Sequence, residues 1–398
     1  MTLKEELEIL RGEPIEVYEG DPMDIPCIET SDPERLCKHP VVSVHMLAYN
    51  HEPYIRQAIE GVMMQKTDFE FELVVGEDCS QDKTREICFE YQEKHPDKIS
   101  VLWWHENVSK LGGNGFRTTA HCRGEFVAFC EGDDYWVDPL KLQKQVDIMH
   151  KHCNVSIVFT GSKILNQVTK KEREWNVGRR GYQNGLVTGK TLQLCSTFGA
   201  APKENPGDEF FIMTCTLMLR KKALQEARNL YDILKWRLAV GDVTLILAMA
   251  TMGDGYYLPE NTGVYRQTPT GASSTNTERC AIDNRIVRMY FAMRVFGLKI
   301  SDFPPVILDT IVNHSLLRLS RCPASKQREY IRRVISSPEA MSVFSRFSAW
   351  PACLALMLGI VNFTIYRVIA WYYRKVRRFR VSEKVLALYA DGQVCQCK

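Results

Sequence analysis

The sequence predicts an α/β fold, with a mainly parallel twisted sheet, helices on both faces and a helical C-terminal region. Apolar strand patterns alternate with helix patterns between residues 41 and 130. After residue 278 the strand patterns stop, while helical spacing continues. Polar side chains follow three of the predicted strands, at the sheet edge where α/β proteins bind ligands.

Length and composition set wide limits. A chain of 398 residues with 45% hydrophobic and 25% charged residues can bury one large core, or one core and a smaller helical region. The net charge of +3 is too small to indicate nucleic-acid binding. No zinc-finger or aromatic RNA-binding motif is present, so we expect no nucleic-acid partner.

The fourteen cysteines are scattered and form no Cys-x-x-Cys pair. Several of them interrupt apolar runs, where cysteine acts as a small hydrophobic residue. The N-terminus lacks the apolar stretch of a secretory signal. We therefore expect reduced thiols and a cytoplasmic location.

The order of the predicted elements follows from periodicity and from capping signals. Residues 1–38 predict a short charged helix and then an irregular lead-in that is rich in proline and acidic residues. Strands are predicted over 41–47, 71–75, 99–104, 125–130, 210–220 and 256–265, and helices over 53–65 and 82–95 and from 239 onward.

Asp133 and Asp134 follow the strand predicted over 125–130. Mg²⁺ and Mn²⁺ prefer oxygen ligands, and one or two carboxylates with the phosphates of a nucleotide would complete their coordination. Such a site suits the departure of a nucleoside diphosphate. The alternative is a solvated turn in which Asp138 caps the next helix.

A bound nucleotide would have to be held without the common glycine-rich loops. The chain has neither a Gly-x-Gly-x-x-Gly after its first strand nor a Gly-x-x-x-x-Gly-Lys motif, which argues against dinucleotide oxidoreductases and P-loop enzymes. Asp78 is a candidate acceptor for hydrogen bonds from a base or ribose, and Tyr49 is a candidate for base stacking. The alternatives are a helix-capping acid and a strand-end aromatic residue.

Three motifs resemble the family 2 glycosyltransferases with the A-type nucleotide-sugar-binding fold, over about residues 41–272. They are Val42-Ser43-Val44 through Tyr49-Asn50, Val75-Gly76-Glu77-Asp78-Cys79-Ser80-Gln81-Asp82, and Glu131-Gly132-Asp133-Asp134-Tyr135-Trp136. The third motif is similar to the version found in bacterial polysaccharide enzymes.

The resemblance implies donor-site roles for four residues. Tyr49 would contact the base, Asp78 the base edge, and Asp133 and Asp134 the ribose, a Mn²⁺ or Mg²⁺ ion and the diphosphate. Leu47 and Cys79 depart from the family pattern and leave the identity of the base open.

Arg117 and Arg266 are further candidates for the donor site. Asn114 and Arg117 precede the strand predicted over 125–130, and the resemblance implies that this region contacts donor phosphate or sugar. Arg266 is a candidate phosphate ligand. Many relatives carry a histidine close to Gln267, and this chain does not.

Asp242 lies in the N-terminal turn of the helix predicted from 239, where the helix dipole is expected to keep its carboxylate ionised. The resemblance assigns it as the general base that takes a proton from the acceptor hydroxyl, with inversion at the anomeric carbon. The alternative is an ordinary N-cap.

The C-terminal region carries a candidate membrane-associating segment, 347–380. Twenty uncharged residues, 347–366, are followed by aromatic residues and a basic cluster suited to anionic lipid. Peripheral binding at the cytoplasmic face of the inner membrane is favoured over a spanning or re-entrant anchor and over a buried bundle helix.

These patterns divide the chain into a lead-in, 1–38, a glycosyltransferase catalytic domain, 39–277, and a helical region, 278–398. The predicted enzyme is an inverting, metal-dependent glycosyltransferase. It would move a sugar from a nucleotide-diphosphate-sugar to a hydroxyl of a glycan or lipid-linked glycan, in bacterial surface polysaccharide synthesis. Processive polysaccharide synthases of the family usually carry a Gln-x-x-Arg-Trp motif. This sequence lacks it, so the resemblance implies an enzyme that adds a single sugar. Rival interpretations are a nucleotidyltransferase and a non-catalytic, membrane-associated nucleotide-binding protein on the same fold.

Overall fold

The computed structural model of the chain describes residues 2–18, 24–109, 113–175, 184–198, 212–239, 241–269, 271 and 277–303, with five isolated positions beyond 303. The candidate membrane-associating segment, 347–380, lies outside the described residues. No helix within the described ranges is both long and apolar enough to cross a membrane.

Eleven strands of the described residues form one mixed sheet in the order β1-β4-β3-β2-β5-β10-β7-β11-β6, with β8 beside β7 and β9 beside β11. The strands are β1 (Ile28–Thr30), β2 (Val42–Ala48), β3 (Phe71–Glu77), β4 (Ile99–Trp103), β5 (Phe126–Phe129), β6 (Tyr135–Trp136), β7 (Val155–Asn166), β8 (Glu172–Trp175), β9 (Gly185–Val187), β10 (Met218–Arg220) and β11 (Asp254–Gln267).

Helices lie before, between and after these strands. They are α1 (Leu3–Arg11), α2 (Ile55–Met63), α3 (Thr84–Lys94), α4 (Gly113–His121), α5 (Lys141–Lys151), α6 (Gly189–Phe198), α7 (Lys221–Leu230), α8 (Gly241–Met252) and α9 (Thr277–Phe296).

The four strands β4, β3, β2 and β5 are parallel neighbours. All seven residues of β3 are buried, because helices cover the sheet on both faces. Helices α2, α3 and α5 contribute to the apolar cluster on one face, and α6, α7 and α8 contribute to the cluster on the other. The predicted fold class is therefore confirmed.

The remaining strands make the sheet mixed. Strand β10 runs antiparallel to both β5 and β7, whereas β7 and β11 run parallel to each other. The short strand β1 lies in the lead-in that was predicted to be irregular, and it extends the sheet by antiparallel pairing with β4.

The strand predicted over 210–220 is mostly wrong in its described part. A 3₁₀ turn occupies Thr214–Thr216, and only Met218–Arg220 forms a strand. The amide of Leu217 donates to the carbonyl of Thr214, which closes the turn, and the indole of Trp136 donates to the carbonyl of Cys215 at 2.8 Å. These long-range and turn contacts override the apolar run.

Candidate active site

The carboxyl ends of β3, β2 and β5 lie side by side and deliver the three predicted polar segments to one edge of the sheet. Hydrogen bonds join the loops that follow β2 and β3. The amide of Asn50 donates to Ser80 Oγ at 2.9 Å, and the amide of Gln81 donates to Asn50 Oδ1 at 2.8 Å. Asn50 has a φ of 54°, a left-handed conformation that asparagine tolerates better than most residues.

Tyr49 and Cys79, in the loops at this edge, stand out by side-chain exposure and by backbone conformation, respectively. Tyr49 is 44% exposed, although it is a large aromatic residue, so its ring is accessible to a ligand. Cys79 has a φ of 59°, a left-handed conformation that favours glycine. Its thiol donates to the carbonyl of His105 at 3.2 Å.

Asp78 is completely buried, and both of its carboxylate oxygens accept hydrogen bonds. Oδ1 accepts from the amide of Val108 at 2.7 Å, and Oδ2 accepts from the amide of Ser109 at 3.1 Å and from its hydroxyl. A base could reach this carboxylate only if the loop at 108–109 gave up some of these bonds. Contact between Asp78 and the base stays a prediction.

The two adjacent aspartates differ in their environments. The side chain of Asp133 is 21% exposed, whereas Asp134 is 1% exposed. Asp134 Oδ1 accepts from the backbone amide of Arg266 at 2.8 Å, and its buried Oδ2 has no hydrogen-bond partner among the described residues. Burial, the first cause, and neighbouring Asp133 raise the pKa of Asp134 well above its usual value.

Arg266 lies beneath this acidic loop and is only 4% exposed. Its guanidinium donates to the carbonyl of Asp133 at 2.7 Å and to the side chain of Gln57. Its Cζ lies 4.3 Å from the ring centroid of Tyr135. Arg266 therefore fixes the backbone of the acidic motif, and its predicted contact with phosphate stays a prediction.

Glu131 and Asp242 are a second pair of carboxylates, within electrostatic range of each other. Burial, then Asp133, then Asp242 raise the pKa of Glu131 to about 8. Asp242 contributes to this rise, so the N-terminal turn of α8 lies within electrostatic range of the acidic motif. A shared site for the motif and Asp242, which are 108 positions apart in the sequence, stays a prediction.

Asp242 is partly buried in the first turn of α8 and accepts a hydrogen bond from the amide of Val243 at 2.8 Å. The helix dipole alone would lower the pKa of this carboxyl. Burial has the larger effect and raises it, while Val243 and Arg288 oppose the rise. A raised pKa makes the carboxylate a stronger base than an exposed aspartate.

Asn114 and Arg117 lie on α4, next to β3 and the lead-in. Asn114 is buried and donates to the carbonyl of Gly76 at 3.2 Å, so it packs the helix against β3. Arg117 donates to the Cys27 thiol group at 2.8 Å. A role for Arg117 at the donor stays a prediction.

Three residues in the site were not predicted by the sequence: Glu131, Gln57 and His51. Glu131 belongs to a quoted motif, and its burial next to other acids is the feature that marks it. Gln57 and His51 lie in or just before α2, where polar residues at a helix start are ordinary. Only the folded arrangement brings them to Arg266 and Asp133.

The donor set fits a divalent cation in an open site. Asp133 offers a partly exposed carboxylate, and Asp134 Oδ2 is a buried oxygen in need of a partner. Within the described ranges, no three His, Cys, Asp or Glu side chains converge to enclose a metal. Two carboxylates with vacant positions for phosphate oxygens and water are what Mg²⁺ and Mn²⁺ commonly use.

Residues 43–226 match the family model described as glycosyl transferase family 2. This segment of the chain is similar to members of that family. The matched segment contains the three strand ends and the acidic motif, while Asp242 and Arg266 follow it.

Similar proteins are found in several bacteria. An uncharacterized protein of Mycobacterium tuberculosis is 34% identical over 134 residues, and the alignment covers 34% of this chain and 38% of that protein's length. Bacillus subtilis EpsE, named as a candidate glycosyltransferase, is 26% identical, and the alignment covers 76% of this chain and 97% of the length of EpsE. Bacillus subtilis TuaG, named as a candidate teichuronic acid biosynthesis glycosyltransferase, is 33% identical over 32% of this chain and 49% of its own.

The fold also has solved relatives. The crystal structure of S. aureus TarS residues 1–349 in complex with UDP-GlcNAc has a TM-score of 0.54 and 18% identity, and the match covers 86% of this chain and 95% of that one. At this identity the likeness shows the fold alone.

Proposed function

We propose that this glycosyltransferase transfers one sugar, with inversion, from a nucleotide-diphosphate-sugar to a hydroxyl of a glycan or lipid-linked glycan. The proposal is supported by the cluster of Asp133, Asp134 and Glu131 at the strand edge, and by the electrostatic effect of Asp242 on Glu131. The three carboxylates of the acidic motif suit the binding of a diphosphate with its cation, and Asp242 suits the role of general base on the acceptor side. The catalytic unit is proposed to comprise residues 39–277.

Asp242 would accept the proton of the acceptor hydroxyl as its oxygen forms a bond to the anomeric carbon. The bond between this carbon and the diphosphate oxygen breaks on the opposite face, and its electron pair leaves with the diphosphate. One base and one leaving group on opposite faces require no covalent intermediate with the enzyme, so the configuration inverts. The burial that raises the pKa of Asp242 supports this assignment.

Asp133 is the proposed principal protein ligand of Mn²⁺ or Mg²⁺, with Asp134 beside it. When bound, the cation would neutralise the charge that develops on the departing diphosphate. Arg266 would keep both acids in position by holding the Asp133 carbonyl and the Asp134 carboxylate.

The donor class is supported by the fold likeness to TarS, whose solved complexes contain UDP and UDP-GlcNAc. The acceptor class is supported by the likeness to TuaG, whose name refers to teichuronic acid biosynthesis. A role in bacterial surface polysaccharide synthesis and peripheral association with the inner membrane at its cytoplasmic face belong to the same proposal.

A thermal-shift screen of the full chain tests the donor site. UDP-, GDP-, dTDP- and CMP-sugars would each be added with and without Mn²⁺, because a ligand that binds only the folded state raises the unfolding temperature. We expect a Mn²⁺-dependent rise with one nucleotide series, and loss of that rise in Asp133→Ala. Asp147→Ala, on the exposed face of α5, is the matched control.

Product analysis then separates this proposal from nucleotidyl transfer. Release of the nucleoside diphosphate with a sugar of inverted anomeric configuration is the expected result. Release of pyrophosphate would instead identify a nucleotidyltransferase. Folded protein that binds none of the four donor series with Mn²⁺ would contradict the proposed donor site.

A further inference from the structure

His51 is a candidate metal-binding side chain that comes from a different loop than the acidic motif. It follows β2, and its Nε2 lies 4.0 Å from Asp133 Oδ2. Both side chains are 21% exposed, so both are partly accessible to water. The partly exposed carboxylate of the motif therefore faces an imidazole nitrogen across a short gap.

The spacing between the two atoms is too long for a hydrogen bond but suits two ligands of one cation. With ligands about 2.1 Å from an octahedral cation, adjacent ligands lie about 3.0 Å apart and opposite ligands about 4.2 Å apart. The observed 4.0 Å lies between these limits. A small rotation of either side chain brings the pair to the adjacent arrangement.

The backbone holds His51 at this position. Its amide donates to Thr84 Oγ1 at 2.8 Å, which ties the residue to the start of α3. Gly132 leaves room for the ring, because a Cβ at that position would lie 2.8 Å from His51 Nδ1. Any side chain at 132 would push the imidazole away from its present place.

The two ring nitrogens of His51 differ in their surroundings. Nδ1 is buried without a hydrogen-bond partner among the described residues, and Nε2 lies 4.0 Å from the Asp133 carboxylate. Imidazole nitrogen is a common metal ligand in proteins.

We propose that His51 Nε2 is a ligand of the divalent cation, together with Asp133. This inference rests on the proposed function, because the cation is the one that the donor diphosphate would share. Its chemical consequence is a mixed nitrogen and oxygen site, which favours Mn²⁺ over Mg²⁺, since imidazole suits transition metals while Mg²⁺ prefers oxygen.

Electron spin echo spectroscopy of Mn²⁺ bound to the full chain with UDP tests the assignment. Coordinated imidazole gives a nitrogen hyperfine signal, and replacement of the histidines by ¹⁵N-labelled histidine separates it from the nitrogens of UDP. We expect the signal in the wild type and its change on labelling. We expect its loss in His51→Gln and its retention in His150→Gln, a control at an exposed position of α5.

Binding measurements supply a second readout. His51→Gln should weaken Mn²⁺ affinity in the presence of UDP by on the order of tenfold or more, the scale of effect that follows disturbance of a metal site. The change should be smaller with Mg²⁺, whereas His150→Gln should change neither.

Two failures can be told apart. Phosphorus coupling from bound UDP without any histidine nitrogen signal in the wild type would overturn the role of His51 and leave the proposed function standing. Folded wild-type protein that binds no Mn²⁺ with UDP or with GDP would count against both. Because the wild-type and labelled spectra decide the question, an unstable His51 variant would not block the test.

Discussion

Arg11 and Asp283 form a buried ion pair between residues 272 positions apart, in which Arg11 Nε donates to Asp283 Oδ1 at 2.7 Å. The side chains are 2% and 0% exposed. Asp283 Oδ2 also accepts from the amide of Ala239 at 2.9 Å, three residues before Asp242. The pair thus joins α1 and α9 to the segment that leads into the proposed base.

Removal of one partner of this pair should destabilise the fold strongly. Asp283→Ala removes the buried carboxylate from the Arg11 guanidinium and leaves it the partly exposed Glu13 at 3.1 Å. Loss of one partner of a buried ion pair typically costs about 3–5 kcal/mol. The measurement is urea unfolding followed by circular dichroism. Glu90→Gln, which breaks the exposed pair between Glu90 and Arg56, is the control and should change little.

The double variant Arg11→Met/Asp283→Leu sharpens this prediction. Replacement of a buried ion pair by apolar residues of similar size is often close to neutral, so the double variant should regain much of the lost stability. A double variant as unstable as Asp283→Ala would show that the Ala239 contact, and not the pair, accounts for the loss.

Asp242→Asn should abolish transfer while donor binding persists. The amide is nearly isosteric with the carboxylate but cannot accept the acceptor proton, and loss of general-base catalysis lowers rates by about 10²–10⁴-fold. Initial rates of nucleoside diphosphate release with acceptor present measure the effect, alongside Mn²⁺-dependent donor binding. Asp232→Asn, at an exposed position before α8, serves as the control. Full activity of Asp242→Asn would remove the residue from the chemistry.

The sequence predicted the parallel half of the sheet well. The predicted strands at 41–47 and 71–75 correspond to Val42–Ala48 and Phe71–Glu77, because both are apolar runs buried between helices. It also predicted that the ends of β2, β3 and β5 meet at one edge. This part depends on local patterns and on the geometry of parallel strands.

The long-range polar contacts were not predicted from the sequence. The contact of Arg266 with phosphate stays a prediction, but its bonds to Asp133 and Gln57 under the acidic loop were not predicted, because these partners come from distant segments. The pairing of β1 with β4 was missed, since three residues in an acidic, proline-rich stretch carry no strand signal. The Arg11 to Asp283 contact has no local signature either.

Arg266→Lys should weaken Mn²⁺-dependent donor binding although it keeps the charge. Lysine is a point charge without the planar fork of arginine, so it cannot hold the Asp133 carbonyl and Gln57 together while packing over Tyr135. Isothermal titration with UDP and Mn²⁺ is expected to give a clear loss of affinity. Arg173→Lys, another arginine over an aromatic ring, should have wild-type affinity. Equal affinities in all three proteins would exclude the supporting role.

Lys141 provides a prediction about pH. It is completely buried over the ring of Trp136, with its Nζ 4.5 Å from the centroid, and burial lowers its pKa to about 7. The unfolded chain holds this proton up to the ordinary value of 10.5. Between these values the unfolded state binds more protons than the folded state, so this residue makes the folded state more stable as pH rises.

Lys141→Met should therefore change the pH dependence of stability in a defined direction. The free energy of unfolding of the variant minus that of the wild type should be most positive at or below pH 7. This difference should fall by about 1 kcal/mol per pH unit between pH 7 and pH 10. Urea unfolding at pH 7, 8 and 9 measures this slope, with Lys144→Met, on the partly exposed side of α5, as the control. A difference that stays constant with pH would mean that the folded protein keeps Lys141 charged, stabilised by its bonds to Gln145 and the Thr216 carbonyl.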